Sequence, residues 1–85
     1  MVREVRLIEW VDSTGGDGWQ SLREWQKEKP HRIQSVGWVL RENETEVALV
    51  QSIDEQDRDD PYGDHVIVIP RSAIYNERTL TYGVV

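Results

Sequence analysis

The chain has 85 residues, of which 38% are apolar and 31% are charged, and its formal net charge at pH 7 is -6. A chain of this length builds one small core, so we predict a single domain over residues 1–85 and exclude a multidomain enzyme. The absence of Cys excludes disulfides, thiolate nucleophiles and Cys-bound zinc, and it favours a reducing compartment. We find no apolar run of about 18 residues and no signal-peptide pattern, so we expect a cytoplasmic protein.

The acidic side chains are concentrated in the middle of the sequence. Residues 42–64 contain nine carboxylates and one arginine, whereas the remainder contains nine basic and seven acidic residues. Proteins that bind phosphate backbones gather Lys and Arg on one face, so we do not expect general affinity for nucleic acid. Attraction to a basic protein surface is electrostatically allowed, and a solvated acidic loop that keeps the protein soluble explains the same charges.

The first third of the chain predicts a strand, a loop and a helix. Apolar residues alternate over residues 3–11, which is the period of a strand with two partly apolar faces. Turn-forming residues follow at 12–18. The spacing of Trp19 and Leu22 then predicts an amphipathic helix of about ten residues that ends before Pro30.

The middle of the chain predicts a hairpin. Residues 32–41 alternate as a strand, with a bend or bulge at Gly37. Asn43 and Glu44 form a tight turn, and residues 46–53 resume the strand pattern.

The last third predicts a charged loop followed by the centre of the core. The charged residues and the turn-forming residues at 54–64 predict a loop. Val66–Ile69 is a wholly apolar strand of the kind buried on both faces, and it stops at Pro70. A single helical turn at 72–75 leads to a strand at 78–82.

These elements predict a mainly β fold with one short helix. Five short strands hide their edges best in a strongly bent antiparallel sheet, which is either open or closed as an SH3-like or Sm-like barrel.

Six short motifs are spread along the chain. They are Ile8–Trp10, Asp12–Ser13, Gly18–Trp19, Ser35–Trp38, Val68–Arg71 and Ile74. Together they resemble motifs of a group of small bacteriophage and prophage proteins, in which Gln56–Asp64 has no counterpart. The resemblance implies a phage or prophage source, a location in the host cytoplasm and a compact β domain, and it brings no catalytic residue to carry over.

Neither metal binding nor catalysis is indicated by the reactive side chains. Asp57, Asp59 and Asp60 share a short loop, but the loop lacks the spacing of a calcium-binding EF-hand. His31 and His65 have no ligand pattern near them. We therefore predict no metal and no cofactor.

A hydroxyl and a carboxylate do occur together in the loop at 12–18. Asp12 and Asp17 flank Ser13 and Thr14, but turn and capping hydrogen bonds explain all four residues. The loop also lacks a phosphate-binding motif. We therefore do not expect an enzyme.

The chain contains four Trp and no Phe, a skewed use of aromatic residues. Trp38 lies in a predicted core strand. Trp10, Trp19 and Trp25 surround the glycine-rich loop and helix, where they form either an exposed aromatic patch or a small core that closes one mouth of the barrel.

Two binding functions are consistent with these features. The first is a noncatalytic module that contacts a basic host or phage protein. Its predicted binding residues are Trp10, Trp19, Trp25, Asp57, Asp59, Asp60 and Tyr62. The second is an Sm-like homo-oligomer that binds a small ligand or nucleotide through Trp stacking and Arg71, Arg78 or Arg32.

Overall fold

A computed structural model of the chain describes residues 2–84, with side chains for residues 3–83, and its five strands form one antiparallel sheet. The strands are β1 (Val2–Asp12), β2 (His31–Glu42), β3 (Glu46–Asp54), β4 (Tyr62–Pro70) and β5 (Ile74–Val84). A helix, α1 (Leu22–Trp25), lies between β1 and β2, and a 3-10 turn (Arg71–Ala73) joins β4 to β5. The predicted mainly β fold and bent five-stranded antiparallel sheet are confirmed, and the sheet is not closed into a barrel.

The connection from β4 to β5 forces the sheet to curl. The strand order is β4-β3-β2-β1-β5, so these consecutive strands are the two outermost ones, and only the turn Arg71–Ala73 joins them. In a flat sheet, four strand spacings would separate them by about 19 Å. The chain from Pro70 to Ile74 reaches at most about 14 Å. The end of β4 and the start of β5 must therefore lie close together, which requires the sheet to curl.

The curl encloses a small apolar core on the inner face of the sheet. The residues that form it are Ile8, Trp10, Val47, Leu49 and Ile69, with Ile33, Val39, Ala73 and Ile74 packed against them. Several of these are directly opposed across strand pairs, such as Val47 with Ile69 and Trp10 with Ile33. The 3-10 turn contributes Ala73, so the connection that bends the sheet also covers its inner face.

The centre of the core lies in β3 and not in β4. Residues 47–50 of β3 are at most 2% exposed. In β4 only Ile69 is buried, whereas Val66, Ile67 and Val68 are 51%, 36% and 45% exposed. The prediction that residues 66–69 are buried on both faces at the centre of the core is wrong, because β4 is an outer strand and the curl brings only its last residues against the sheet.

The segment between β1 and β2 is a mostly exposed arm, residues 13–30. Its helix α1 has four residues instead of the predicted ten, and none of them is buried. Ser21 caps the helix by accepting a hydrogen bond from the Glu24 backbone N–H at 3.2 Å. Because none of its residues is buried, the helix gains too little from packing to extend. No helix in the described part of the chain has the length and apolarity needed to span a membrane.

Gly37 permits close packing, and the predicted bulge lies three residues further on. A Cβ at Gly37 would stand 3.0 Å from the Val50 carbonyl oxygen and 3.1 Å from the Leu49 Cβ. The irregularity in the pairing of β2 with β3 falls between Val39 and Arg41. A side chain at this position would therefore crowd the backbone and side chains of β3.

The burial difference along β4 predicts unequal effects of truncation on stability. Ile69→Ala should lower the free energy of unfolding by about 2–5 kcal/mol, because it leaves a cavity in the core. Val68→Ala should cost less than about 1 kcal/mol, because the side chain is already half exposed. Urea unfolding followed by circular dichroism measures both, and equal losses would contradict the placement of β4 at the sheet edge.

Candidate functional site

The strongest concentration of unbalanced charge lies in the acidic loop, residues 55–61, which joins β3 to β4. Every residue of the loop is exposed. Asp57 organises it, because its Oδ1 accepts from the Asp59 backbone N–H at 3.0 Å and its carbonyl oxygen accepts from the Asp60 N–H at 3.3 Å. These turn bonds fix Asp57, Asp59 and Asp60 in one short loop.

The carboxylates of the acidic loop have no cationic partner among the described residues. The structure places no Lys or Arg nitrogen within 4.0 Å of Asp57, Asp59 or Asp60 in the part of the chain it describes. Nearby, Asp64 pairs with His65 at 3.1 Å between Oδ2 and Nδ1. The loop therefore projects negative charge that the fold itself does not neutralise.

Tyr62 follows the acidic loop and is 71% exposed. It borders an open groove of about 160 Å³ whose lining is mostly apolar, with Leu40, Ile53, Pro61 and Val66, and also includes Arg3. An aromatic side chain beside a small apolar depression is typical of the anchor positions of protein interfaces. Four of the seven predicted binding residues, Asp57, Asp59, Asp60 and Tyr62, thus lie together at this end of the molecule.

The three tryptophans of the predicted site are not gathered with them. Trp10 is 9% exposed, belongs to the core, and donates its ring N–H to the Ser35 Oγ at 3.0 Å. Trp19 is fully exposed on the arm. Trp25 is half-buried and lies so close to Gly16 that a Cβ there would stand 2.6 Å from its ring. The tryptophans are divided between core and arm.

Sequence reasoning missed an ion cluster around Arg6, whose own side chain is buried with 8% of the residue exposed. Its guanidinium contacts Glu4, with 3.0 Å between Nη2 and Oε1, and also Glu42 and Glu77. Arg71 reaches the same Glu42 and Glu77 at 3.6 and 3.5 Å. The spacing of Glu4 and Arg6 on a predicted strand was the available signal, since residues two apart share a face.

Arg71 also fastens the curled corner of the sheet to the turn between β2 and β3. Its backbone N–H donates to the Thr45 carbonyl oxygen at 2.9 Å, and its Nε donates to the Asn43 carbonyl oxygen at 2.6 Å. Through these hydrogen bonds and its contacts with Glu42 and Glu77, Arg71 stabilises the curled corner of the sheet.

Two of the three arginines predicted for nucleotide binding contact other side chains of the chain. Arg71 takes part in the ion cluster, and Arg32 lies over the Tyr75 ring with 5.5 Å from its Cζ to the ring centroid. Arg78 is close enough to Glu9 to help lower the pKa of that carboxyl, although the hydrogen bond from Asn76 is the main cause.

The described residues contain no group of three His, Asp or Glu side chains placed to hold a metal ion. His65 has a left-handed backbone, with φ 58°, and its N–H donates to the Asp64 Oδ1 at 2.9 Å. These contacts give His65 a local structural role.

Comparison of the chain with protein-family models, curated proteins and solved structures finds no match. The function is therefore inferred from the surface that the acidic loop and β4 present.

Removal of the buried guanidinium should destabilise the fold strongly. Arg6→Met should lower the free energy of unfolding by roughly 2–3 kcal/mol, because Glu4 would lose its cationic partner and Glu42 and Glu77 would keep only Arg71. The matched control is Arg41→Met, since Arg41 pairs with Glu46 at 2.7 Å on the exposed surface. The control should cost less than about 1 kcal/mol. Equal losses in urea unfolding would show that the Arg6 cluster does not stabilise the fold.

The ion cluster also predicts how stability responds to acid. The hydrogen bond from Arg6 holds the pKa of Glu4 below its ordinary value of 4.5, against the opposing effect of burial. Because the folded-state pKa is the lower one, this stabilisation is complete above pH 4.5 and is lost as the pH falls through the folded-state value. Glu4→Gln should therefore flatten the decline of unfolding free energy below pH 4.5. Identical declines in denaturant titrations of the two proteins would contradict this.

Proposed function

We propose that this protein is a noncatalytic binding module that holds a basic segment of another protein against the acidic loop and Tyr62. One observation carries the proposal. Asp57, Asp59 and Asp60, which have no cationic partner among the residues that the structure describes, lie beside an exposed tyrosine and an exposed apolar stretch of β4. A partner segment with basic and apolar side chains would pair with the carboxylates and cover the apolar side chains at the same time.

The charge distribution supports a basic partner. Residues 54–64 contain six carboxylates and one arginine. Such a patch attracts cationic segments over a distance comparable with the Debye length and raises their association rate. The ring of Tyr62 is exposed in the free protein and would be buried against the partner. Its burial would add an apolar contact to the charge attraction, because an aromatic ring excludes water over a large area.

A host or phage origin of the partner remains a prediction of the sequence resemblance. The alternative of nucleotide binding has less support, since Arg71 and Arg32 already contact Glu42, Glu77 and Tyr75.

Neutralising the acidic loop should weaken binding of a basic probe. We expect Asp57→Asn, Asp59→Asn and Asp60→Asn together to lower the affinity for fluorescein-labelled decalysine about tenfold at low salt, because each exposed ion pair contributes up to about 1 kcal/mol. Tyr62→Ser should lower affinity at both low and moderate salt. Fluorescence anisotropy measures the affinities, and circular dichroism checks that each variant is folded.

The control separates a local site from the effect of total charge. Asp12→Asn, Asp17→Asn and Glu28→Gln together change the net charge by the same amount but lie outside the acidic loop. This variant should bind decalysine nearly as the original protein does. If it loses as much affinity as the loop variant, the acidic loop is not the binding site.

A further inference from the structure

We propose that the partner segment binds as an additional β-strand along the outer edge of β4. The segment is extended, apolar or β-branched where it passes residues 66–68, and basic where it passes the acidic loop. This inference rests on the proposed function and specifies the form in which the partner is bound.

The backbone of β4 offers the pairing surface. On one side β4 is paired with β3, with Val66 opposite Val50 and Val68 opposite Ala48. On its other side, the described residues place no strand, because β4 is first in the sheet order. In an antiparallel sheet, alternate residues direct their N–H and C=O groups to this outer side, where an extended peptide can hydrogen-bond to them.

The side chains of β4 divide its outer edge into a protected and an unprotected part. Natural sheets protect their edges with charges and backbone irregularities. Asp64 and the left-handed His65 supply both near the start of β4. Val66, Ile67 and Val68 carry no such protection and are exposed.

The charge next to this unprotected stretch determines which segment it accepts. The acidic loop lies just beyond Asp64 and His65, so a segment that pairs with residues 66–68 reaches the loop by continuing, unpaired, past these two residues. The loop carboxylates have no cationic partner among the described residues. A basic continuation of the added strand would neutralise them. A second copy of this chain offers an apolar edge too, but its net charge of -6 makes the two copies repel each other.

Backbone methylation of a probe peptide tests strand addition without changing charge. The probe is a fluorescein-labelled heptapeptide in which four residues of alternating threonine and valine are followed by three lysines. Two further versions carry N-methyl groups on the odd or on the even residues. Because only alternate N–H groups of an added strand face its neighbour, we expect one version to lose at least about tenfold in affinity and the other to lose much less.

A pair of variants locates the added strand. Val66→Lys with Val68→Lys places two cations on β4, and Leu80→Lys with Tyr82→Lys places two on β5 at the opposite edge, where both residues are also exposed. We expect the β4 variant to lose at least about tenfold in affinity and the β5 variant to change less than about threefold. Circular dichroism confirms that both variants are folded.

The outcomes distinguish this inference from the proposed function. If all three peptides bind equally well, or if the β5 variant is the one that loses affinity, strand addition to β4 is wrong while binding of basic segments still holds. If neither the heptapeptide nor decalysine binds, both proposals fail. If sedimentation velocity shows a dimer of the free protein that the heptapeptide cannot dissociate, a second copy occupies the edge and the inference is overturned.

Discussion

The short connection between β4 and β5 is the constraint on which the rest of the structure depends. The turn Arg71–Ala73 joins the two outermost strands and is too short to cross a flat sheet. The sheet therefore curls, and the curl gives a chain of 85 residues an enclosed core around Ile8, Leu49 and Ile69. The ion cluster of Arg6 and the backbone contacts of Arg71 hold the same corner.

Closing one corner leaves the other end of the sheet open. The pairing of β2 with β3 stops at Trp38 and Val50, and beyond it the two strands border an open cleft of about 490 Å³. At this end no described strand pairs with the outer side of β4, and the acidic loop precedes that strand. The features from which we infer binding are thus direct consequences of how the fold is closed.

Much of the fold was predictable from local patterns in the sequence. Alternating apolar residues and turn residues predicted five strands, a short helix and the turn before the last strand, because these features depend on neighbouring residues. The position of Val66–Ile69 was not predictable in this way, since a continuous apolar run is compatible with a central strand and with an outer strand whose side chains are exposed. Only the strand order decides between them.

The candidate site was predictable in part for the same reason. Asp57, Asp59, Asp60 and Tyr62 are neighbours in sequence and stay together in the fold. Trp10 lies in β1 with its side chain in the core, whereas Trp19 lies on the arm. Trp10 is therefore buried and Trp19 is exposed. The Arg6 cluster joins residues from three strands and the 3-10 turn, and no local pattern predicts its contacts with Glu42 and Glu77.

The most direct test of this account is amide-resolved hydrogen exchange of β4 with and without the threonine–valine–lysine heptapeptide. In the free protein, the outward-facing amides of residues 66–68 should exchange rapidly, whereas amides paired with β3 should exchange slowly. The peptide should slow exchange of those outward-facing amides and leave β5 unchanged. Slow exchange of every β4 amide before the peptide is added, or new protection confined to β5, would contradict the account.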